Sequence, residues 1–151
     1  MDETLVHTRS DSPPSHSNYV RTDFGGEPMF VEPRPMVQEF LRAVSEVFTI
    51  YVYTAGKKNY ADKVLKVIDS EGLIEKRFYR DSCRKVGGKL VKDLKHIQRT
   101  LRVKDSMVLV DDNKDSVNHN YPFAVPIEAF EGDQKDSTLS ETFKQVLKFY
   151  V

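Results

Sequence analysis

Tryptophan is absent from this chain, and cysteine occurs once, at Cys83. A single thiol excludes an intrachain disulfide and fits a reducing compartment. It also excludes a zinc centre built on cysteine pairs, and His7, His16, His96 and His119 are too scattered to supply one. No apolar run approaches the roughly 20 residues of a membrane span, so this chain is expected to carry no membrane segment. Net charge is missing too, because 23 Lys+Arg balance 23 Asp+Glu. That removes any global electrostatic case for nucleic acid or an anionic membrane, and leaves anion binding to local clusters.

What is present is material for a core. A chain of 151 residues, 39% hydrophobic and 11% aromatic, is long and apolar enough for one folded domain over 1–151, not a disordered segment. Thr8 to Asn18, rich in Ser, Pro and charge, reads as a loop. Tyr19-Val20-Arg21 and Met29-Phe30-Val31 flank Gly25-Gly26 and predict a small hairpin. After Pro33 and Pro35, apolar residues at helical spacing from Met36 to Phe48 predict a helix.

Phe48 to Tyr53 is β-branched and aromatic and predicts a strand buried on both faces. Tyr60, Val64, Leu65 and Ile68 mark a second helix, closed by Gly72. Phe78-Tyr79-Arg80 reads as a short strand, and Cys83 to Val91 as a hairpin turning at Gly87-Gly88. Leu94, Ile97 and Leu101 mark a third helix, Met107 to Val110 a buried strand, and Ala124 to Ile127 a short one. Thr138 and Glu141 have capping-box spacing ahead of a last helix with Leu139, Phe143, Val146, Leu147 and Tyr150 on its core face. Cys83 reads as a small buried hydrophobe.

Strands alternating with helices predict an α/β domain around a mainly parallel sheet, whose ligands bind beyond the carboxyl ends of the strands. Three polar clusters stand at such places: Asp2 with Thr4, Thr54, and Asp111 with Asp112. Read singly, each has an ordinary meaning. Thr54 could be a turn or cap residue, Lys92 a solvated lysine, and Asp111-Asp112-Asn113 a simple turn. Arg80 could pair with Asp81 on the surface. Asn113 could be a ligand if the register slips by one.

Taken in order, these stretches point to a family. Asp2-Glu3-Thr4-Leu5-Val6-His7, Arg34-Pro35, Tyr53-Thr54-Ala55-Gly56 with Tyr60-Ala61-Asp62, Tyr79 to Cys83, Val91-Lys92-Asp93-Leu94 and Val110-Asp111-Asp112 resemble the haloacid dehalogenase superfamily. Within it, the chain resembles the FCP/SCP-type phosphatases acting on the C-terminal domain of RNA polymerase II. The resemblance implies a Rossmann-like, mainly parallel sheet flanked by helices, with a small β-hairpin insertion. It implies a Mg²⁺-dependent protein phosphatase working through an aspartyl-phosphate on phosphoserine or phosphothreonine proteins.

Carried over by position, Asp2 is the general acid/base and a backbone-carbonyl ligand of the metal, and Thr4 fixes the turn of the first motif. Thr54 binds phosphate, Lys92 neutralises its charge, Asp111 pairs with Lys92, Asp112 is the metal ligand, and Arg80 stands near the phosphate entrance. Such chemistry uses oxygen ligands for Mg²⁺, donors on the transferring oxygens and an acid for the leaving alcohol.

One acid of that pattern has no place in the 151 residues. The nucleophilic aspartate would fall one residue before Met1, with Met1 as the apolar residue between the two acids. The expectation is therefore an inactive chain as written, lacking its first central strand, with unpaired strand edges and a groove in the core. The alternative is a non-catalytic binding domain of the same fold, such as a receptor subunit of the mitochondrial inner-membrane translocase. The resemblance implies an intracellular protein, nuclear or cytoplasmic before mitochondrial. Ser10 and Lys57 stand where apolar residues would help to read a proline-containing peptide, while Lys57 and Lys58 attract phosphopeptide by charge.

Overall fold

In the computed structural model, which describes residues 1–150, the chain begins in a tight turn and enters a three-stranded antiparallel sheet. Its strands are Val6–Arg9 (β1), Val20–Phe24 (β2) and Glu27–Pro33 (β3), in the order β1-β3-β2. Gly25 and Gly26 close the β2–β3 hairpin at φ 61° and 82°, a conformation open to glycine without steric cost. The loop expected from Thr8 starts later, because Thr8 and Arg9 pair with Val31 and Phe30.

The helix after Pro35 is Val37–Ser45 (α1), which buries Val37 and Leu41. Ile50–Tyr53 (β4) follows, then Lys58–Ile68 (α2). Ala61, Val64, Leu65 and Ile68 recur at i, i+3, i+4 and i+7, so one stripe of α2 is buried completely. Each of the larger side chains contributes roughly 1.5–3 kcal/mol of burial. Gln38 Nε2 donates to the Ile68 carbonyl at 2.6 Å and ties α1 to the end of α2.

Ile74–Phe78 (β5) pairs in parallel with β4, so the expected short strand at Phe78 lies mostly upstream of it. Arg80–Ser82 is a 3-10 turn. The expected hairpin is present as Arg84–Val86 (β6) and Lys89–Val91 (β7). Leu94–Leu101 (α3), Leu109–Asp111 (β8), Lys114–Asn120 (α4), Ala124–Pro126 (β9) and Thr138–Leu147 (α5) complete the described chain. The expected Thr138–Glu141 capping box does not form. Asp136 instead accepts from the Thr138 amide (3.1 Å) and hydroxyl (3.2 Å), and Glu141 lies 3.6 Å from Lys144. On α5, Leu139, Thr142 and Val146 are buried, whereas Leu147, and Tyr150 beyond the helix, are exposed.

The parallel strands form two separate pairs, β4–β5 and β8–β9, that share no backbone hydrogen bond. Between them lies a cavity of about 620 Å³, lined along its length by Thr49 to Tyr53 on one side and Asp105 to Val110 on the other. Met1 stands at its wall together with Phe40, Val146 and Phe149. β4 and β8, which border this cavity, each pair with one strand, β5 and β9 respectively, and leave the other edge unpaired. Met1, Leu5, Val6, Val31, Leu41, Val52, Leu65, Ile127 and Leu139 belong to one buried apolar cluster, so the first turn is packed into the core.

Candidate active site

The first motif is a turn held from several directions. Thr4 and Leu5 donate their amides to the Met1 carbonyl at 3.2 and 2.9 Å. Glu3 sits at φ 61°, in the left-handed region that costs a non-glycine residue energy. Its neighbours hold it there: the Glu3 amide donates to the Val6 carbonyl (2.8 Å), and its carbonyl accepts from Phe130 (2.6 Å). Arg34 Nη1 reaches the Thr4 carbonyl at 3.1 Å, while Nε and Nη2 form a fork onto Asp136, both at 2.9 Å. Arg34 is only 1% exposed and lies 5.5 Å over the Phe130 ring.

The strand-end cluster meets this turn. Thr4 Oγ1 donates to Asp112 Oδ1 at 2.8 Å and accepts from the Asp112 amide at 3.3 Å. Lys92 Nζ pairs with Asp111 Oδ2 at 2.6 Å, with both side chains buried. Ser116 accepts from the Lys92 amide (3.1 Å) and Asn120 Nδ2 donates to its carbonyl (2.7 Å), so α4 fixes the backbone from which that lysine extends. Asn113, a possible ligand on sequence alone, is the cap of α4: its Oδ1 accepts from the Ser116 amide at 3.0 Å.

The Met1 ammonium is buried among these groups. Burial lowers its pKa most, Lys92 adds to the lowering, and Asp111, Asp2 and Asp112 oppose it. The Asp112 carboxyl is pushed up, chiefly by burial and also by Asp111, against the Thr4 hydrogen bond that favours its ionised form. Asp2, Thr4, Lys92, Asp111 and Asp112 therefore lie around one buried point at the start of the chain.

Thr54 and Arg80 stand differently. Thr54 is buried at the end of β4, and its Oγ1 accepts from the Gly56 amide at 3.0 Å, which makes it a turn residue whatever else it binds. The Arg80–Asp81 pair considered from sequence is absent; Arg80 is exposed and donates Nε to the Ala55 carbonyl at 2.6 Å. Cys83 is half-buried, and its thiol is pushed up first by burial, which disfavours the thiolate.

Tyr60 is the site residue that sequence reasoning did not assign. Its hydroxyl donates to Asp2 Oδ1 at 2.6 Å and bonds Thr8 Oγ1 at 2.9 Å. Burial, then the bond to Asp2, raises the phenol pKa, so it remains a donor. The only signal for it was its place in the resemblance, two residues ahead of Asp62.

Mg²⁺ takes hard oxygen donors and is often held by one or two carboxylates, with water and phosphate completing the shell. Asp112 Oδ2 and the Asp2 carbonyl accept no hydrogen bond among the described residues, which leaves oxygen donors of the required kind. No group of three or more His, Cys, Asp or Glu side chains among the described residues is placed to hold a metal ion. The residues fit a Mg²⁺ ion that relies on other ligands for most of its shell.

The family described as NLI interacting factor-like phosphatase matches residues 1–151. The chain belongs to that family. It is 36% identical over 141 residues to a probable C-terminal domain small phosphatase of Dictyostelium discoideum, covering 92% of this chain and 45% of that protein. It is 34% identical over 141 residues to the CTD small phosphatase-like protein 2 of the same organism, covering 92% and 24%. It is 33% identical over 142 residues to the human CTD small phosphatase-like protein, covering 92% and 50%.

The chain thus spans half or less of these curated relatives. Among solved structures it resembles Fcp1, an essential RNA polymerase II CTD phosphatase, with TM-score 0.65 and 23% identity, covering 98% of this chain and 46% of that one. The fission yeast enzyme bound to beryllium fluoride gives TM-score 0.64 at 21% identity, covering 99% and 49%. These structural likenesses establish the haloacid-dehalogenase-like α/β fold. No helix among the described residues is long and apolar enough to cross a membrane.

Proposed function

We propose that this chain is the phosphatase domain of a Mg²⁺-dependent protein serine/threonine phosphatase. The observation that carries the reading is the meeting of Asp2, Thr4, Lys92, Asp111 and Asp112 around the buried Met1 nitrogen. Lys92, steadied by Asp111, neutralises the transferring phosphoryl oxygens, and Thr54 donates to one of them. Arg80 stands at the entrance. Asp112 and the Asp2 carbonyl hold Mg²⁺, which when bound removes the repulsion between a carboxylate and a phosphate dianion. The Asp2 carboxyl, positioned by Tyr60, protonates the leaving seryl or threonyl oxygen and then takes a proton from the attacking water.

No carboxylate of the 151 residues is assigned the nucleophilic role. An aspartate joined to the Met1 nitrogen would arrive beside Lys92, Asp111 and Asp112, and the residues before it would lie along the cavity between β4 and β8. On this reading the chain as written does not turn over.

The test compares this chain with one extended by an apolar strand ending in aspartate fused to Met1. Phosphate release from a phosphoserine peptide with Mg²⁺ is expected only with the extension, and not when its aspartate is changed to asparagine. Phosphopeptide binding without turnover in the extended chain would refute the catalytic reading and leave a non-catalytic binding domain.

A further inference from the structure

The hairpin beside the site holds an imbalance that the catalytic reading does not use. From Arg80 to Lys92 the cations are Arg80, Arg84, Lys85, Lys89 and Lys92, and the one acid is Asp81, in a chain whose 23 cations balance 23 anions. Every residue from Arg84 to Leu90 is exposed, and Val91 is the only buried residue of the two strands. Core packing therefore does not account for what the hairpin carries.

Its charges are also largely free. Lys89 lies 3.4 Å from Asp115, with both side chains well exposed, a weak pair. Arg80, Arg84 and Lys85 enter no ion pair among the described residues. Lys58, across the site, is by contrast taken up by Asp62 at 2.6 Å.

The base of the hairpin is anchored on both sides of the cluster. The Tyr53 hydroxyl donates to the Ser82 carbonyl and accepts from the Asp93 amide at 3.2 Å. The Cys83 thiol points to the Thr54 carbonyl at 3.7 Å, and β7 runs directly into Lys92. The strands thus rise between the Thr54 side and the Lys92 side of the site. Lysine on a sheet edge also guards against unwanted strand pairing. That role is indifferent to the sequence of a bound peptide, which makes the two explanations separable.

We propose that the Arg84–Val91 hairpin, together with Arg80, recognises acidic residues flanking the phosphorylated side chain, so that the preferred partner is a phosphopeptide rich in Asp or Glu. The proposal rests on the phosphatase reading above and names its substrate class. Charge complementarity of this kind selects partners and speeds their encounter.

Fluorescence anisotropy with this chain tests it, using three labelled peptides: phosphoserine flanked by Glu, phosphoserine flanked by Ala, and unphosphorylated serine flanked by Glu. The Glu-flanked phosphopeptide is expected to bind about tenfold tighter than the Ala-flanked one. In the Arg84→Glu/Lys85→Glu variant this advantage disappears while Ala-flanked affinity holds; both positions are exposed, so the fold is retained. Equal binding of the two phosphopeptides, or an advantage that survives charge reversal, overturns the proposal. So does tighter binding of single-stranded RNA than of the acidic phosphopeptide. If the unphosphorylated Glu peptide binds as well as its phosphorylated form and loses affinity in the variant, the hairpin assignment stands and the phosphatase reading falls. If phosphate is required but flanks are not, the reverse holds, and if no peptide binds, both fall.

Discussion

Thr4 Oγ1 donates to Asp112 Oδ1 at 2.8 Å across a separation of 108 residues, and the same oxygen accepts from the Asp112 amide at 3.3 Å. One hydroxyl thus joins the first turn of the chain to the end of β8 and orients the carboxylate assigned to the metal. Thr4→Val keeps the shape and removes both bonds, leaving a half-buried acid without its donor. The expected cost is about 1–3 kcal/mol in urea unfolding, with weaker Mg²⁺ binding by calorimetry and recovery of both in Thr4→Ser.

Lys92 and Asp111 form a pair that solvent barely reaches, at 8% and 1% exposure. Removing one partner strands the other charge, so Lys92→Met is expected to cost about 3–5 kcal/mol. The double variant Lys92→Met/Asp111→Leu removes both charges and is expected to recover most of that loss while abolishing phosphate binding. Additive losses in the double-mutant cycle would contradict the pairing.

Arg34 acts on the cluster through the backbone of Thr4, as a positioning residue. Its fork onto Asp136 and its bond to the Thr4 carbonyl hold the turn that carries Glu3 at positive φ. Lysine cannot reproduce a planar two-bond fork. Arg34→Lys is expected to speed amide exchange at Glu3 to Val6 and weaken Mg²⁺ binding, with the helix content of α2 unchanged. Unaltered exchange in the turn would assign Arg34 a purely structural role elsewhere.

Acid should loosen a defined part of the molecule. Burial alone would raise the Asp62 carboxyl, but hydrogen bonds from Lys58, Tyr79 and Arg77 outweigh it and hold it at about 2, below the usual 3.8. Asp136 is likewise lowered, its burial outweighed mainly by Arg34 and the Thr138 amide. A carboxyl with depressed pKa contributes stability that is whole above its unfolded value and lost as pH falls through its folded one. Chemical-denaturation stability is therefore expected to fall between pH about 4 and about 2, less steeply in Asp62→Asn.

The sequence made the strand tips legible because apolar runs followed by acids or hydroxyls leave few other readings. Thr54 and Asp112 each follow a strand directly, but β4 begins at Ile50 where Phe48 was expected, and β8 covers Leu109–Asp111 where Met107 to Val110 was expected. α4 was not legible: Lys114 to Asn120 offers Val117 as its only aliphatic residue, and its stability comes from the Asn113 cap and from the backbone bonds around Lys92. The Tyr60–Asp2 bond escaped because it spans 58 residues, and a tyrosine on an apolar helix stripe reads as core. The Thr138–Glu141 spacing misled because Asp136, two residues upstream, supplies the acceptor first.

The cavity between β4 and β8 also bears on how the molecule comes apart. Among the described residues no ladder joins the β4–β5 half to the β8–β9 half. Their melting is expected to be two events, with probes on Tyr51 and on Val110 reporting different denaturant midpoints. A segment that bridges the gap would merge the two into one all-or-none transition.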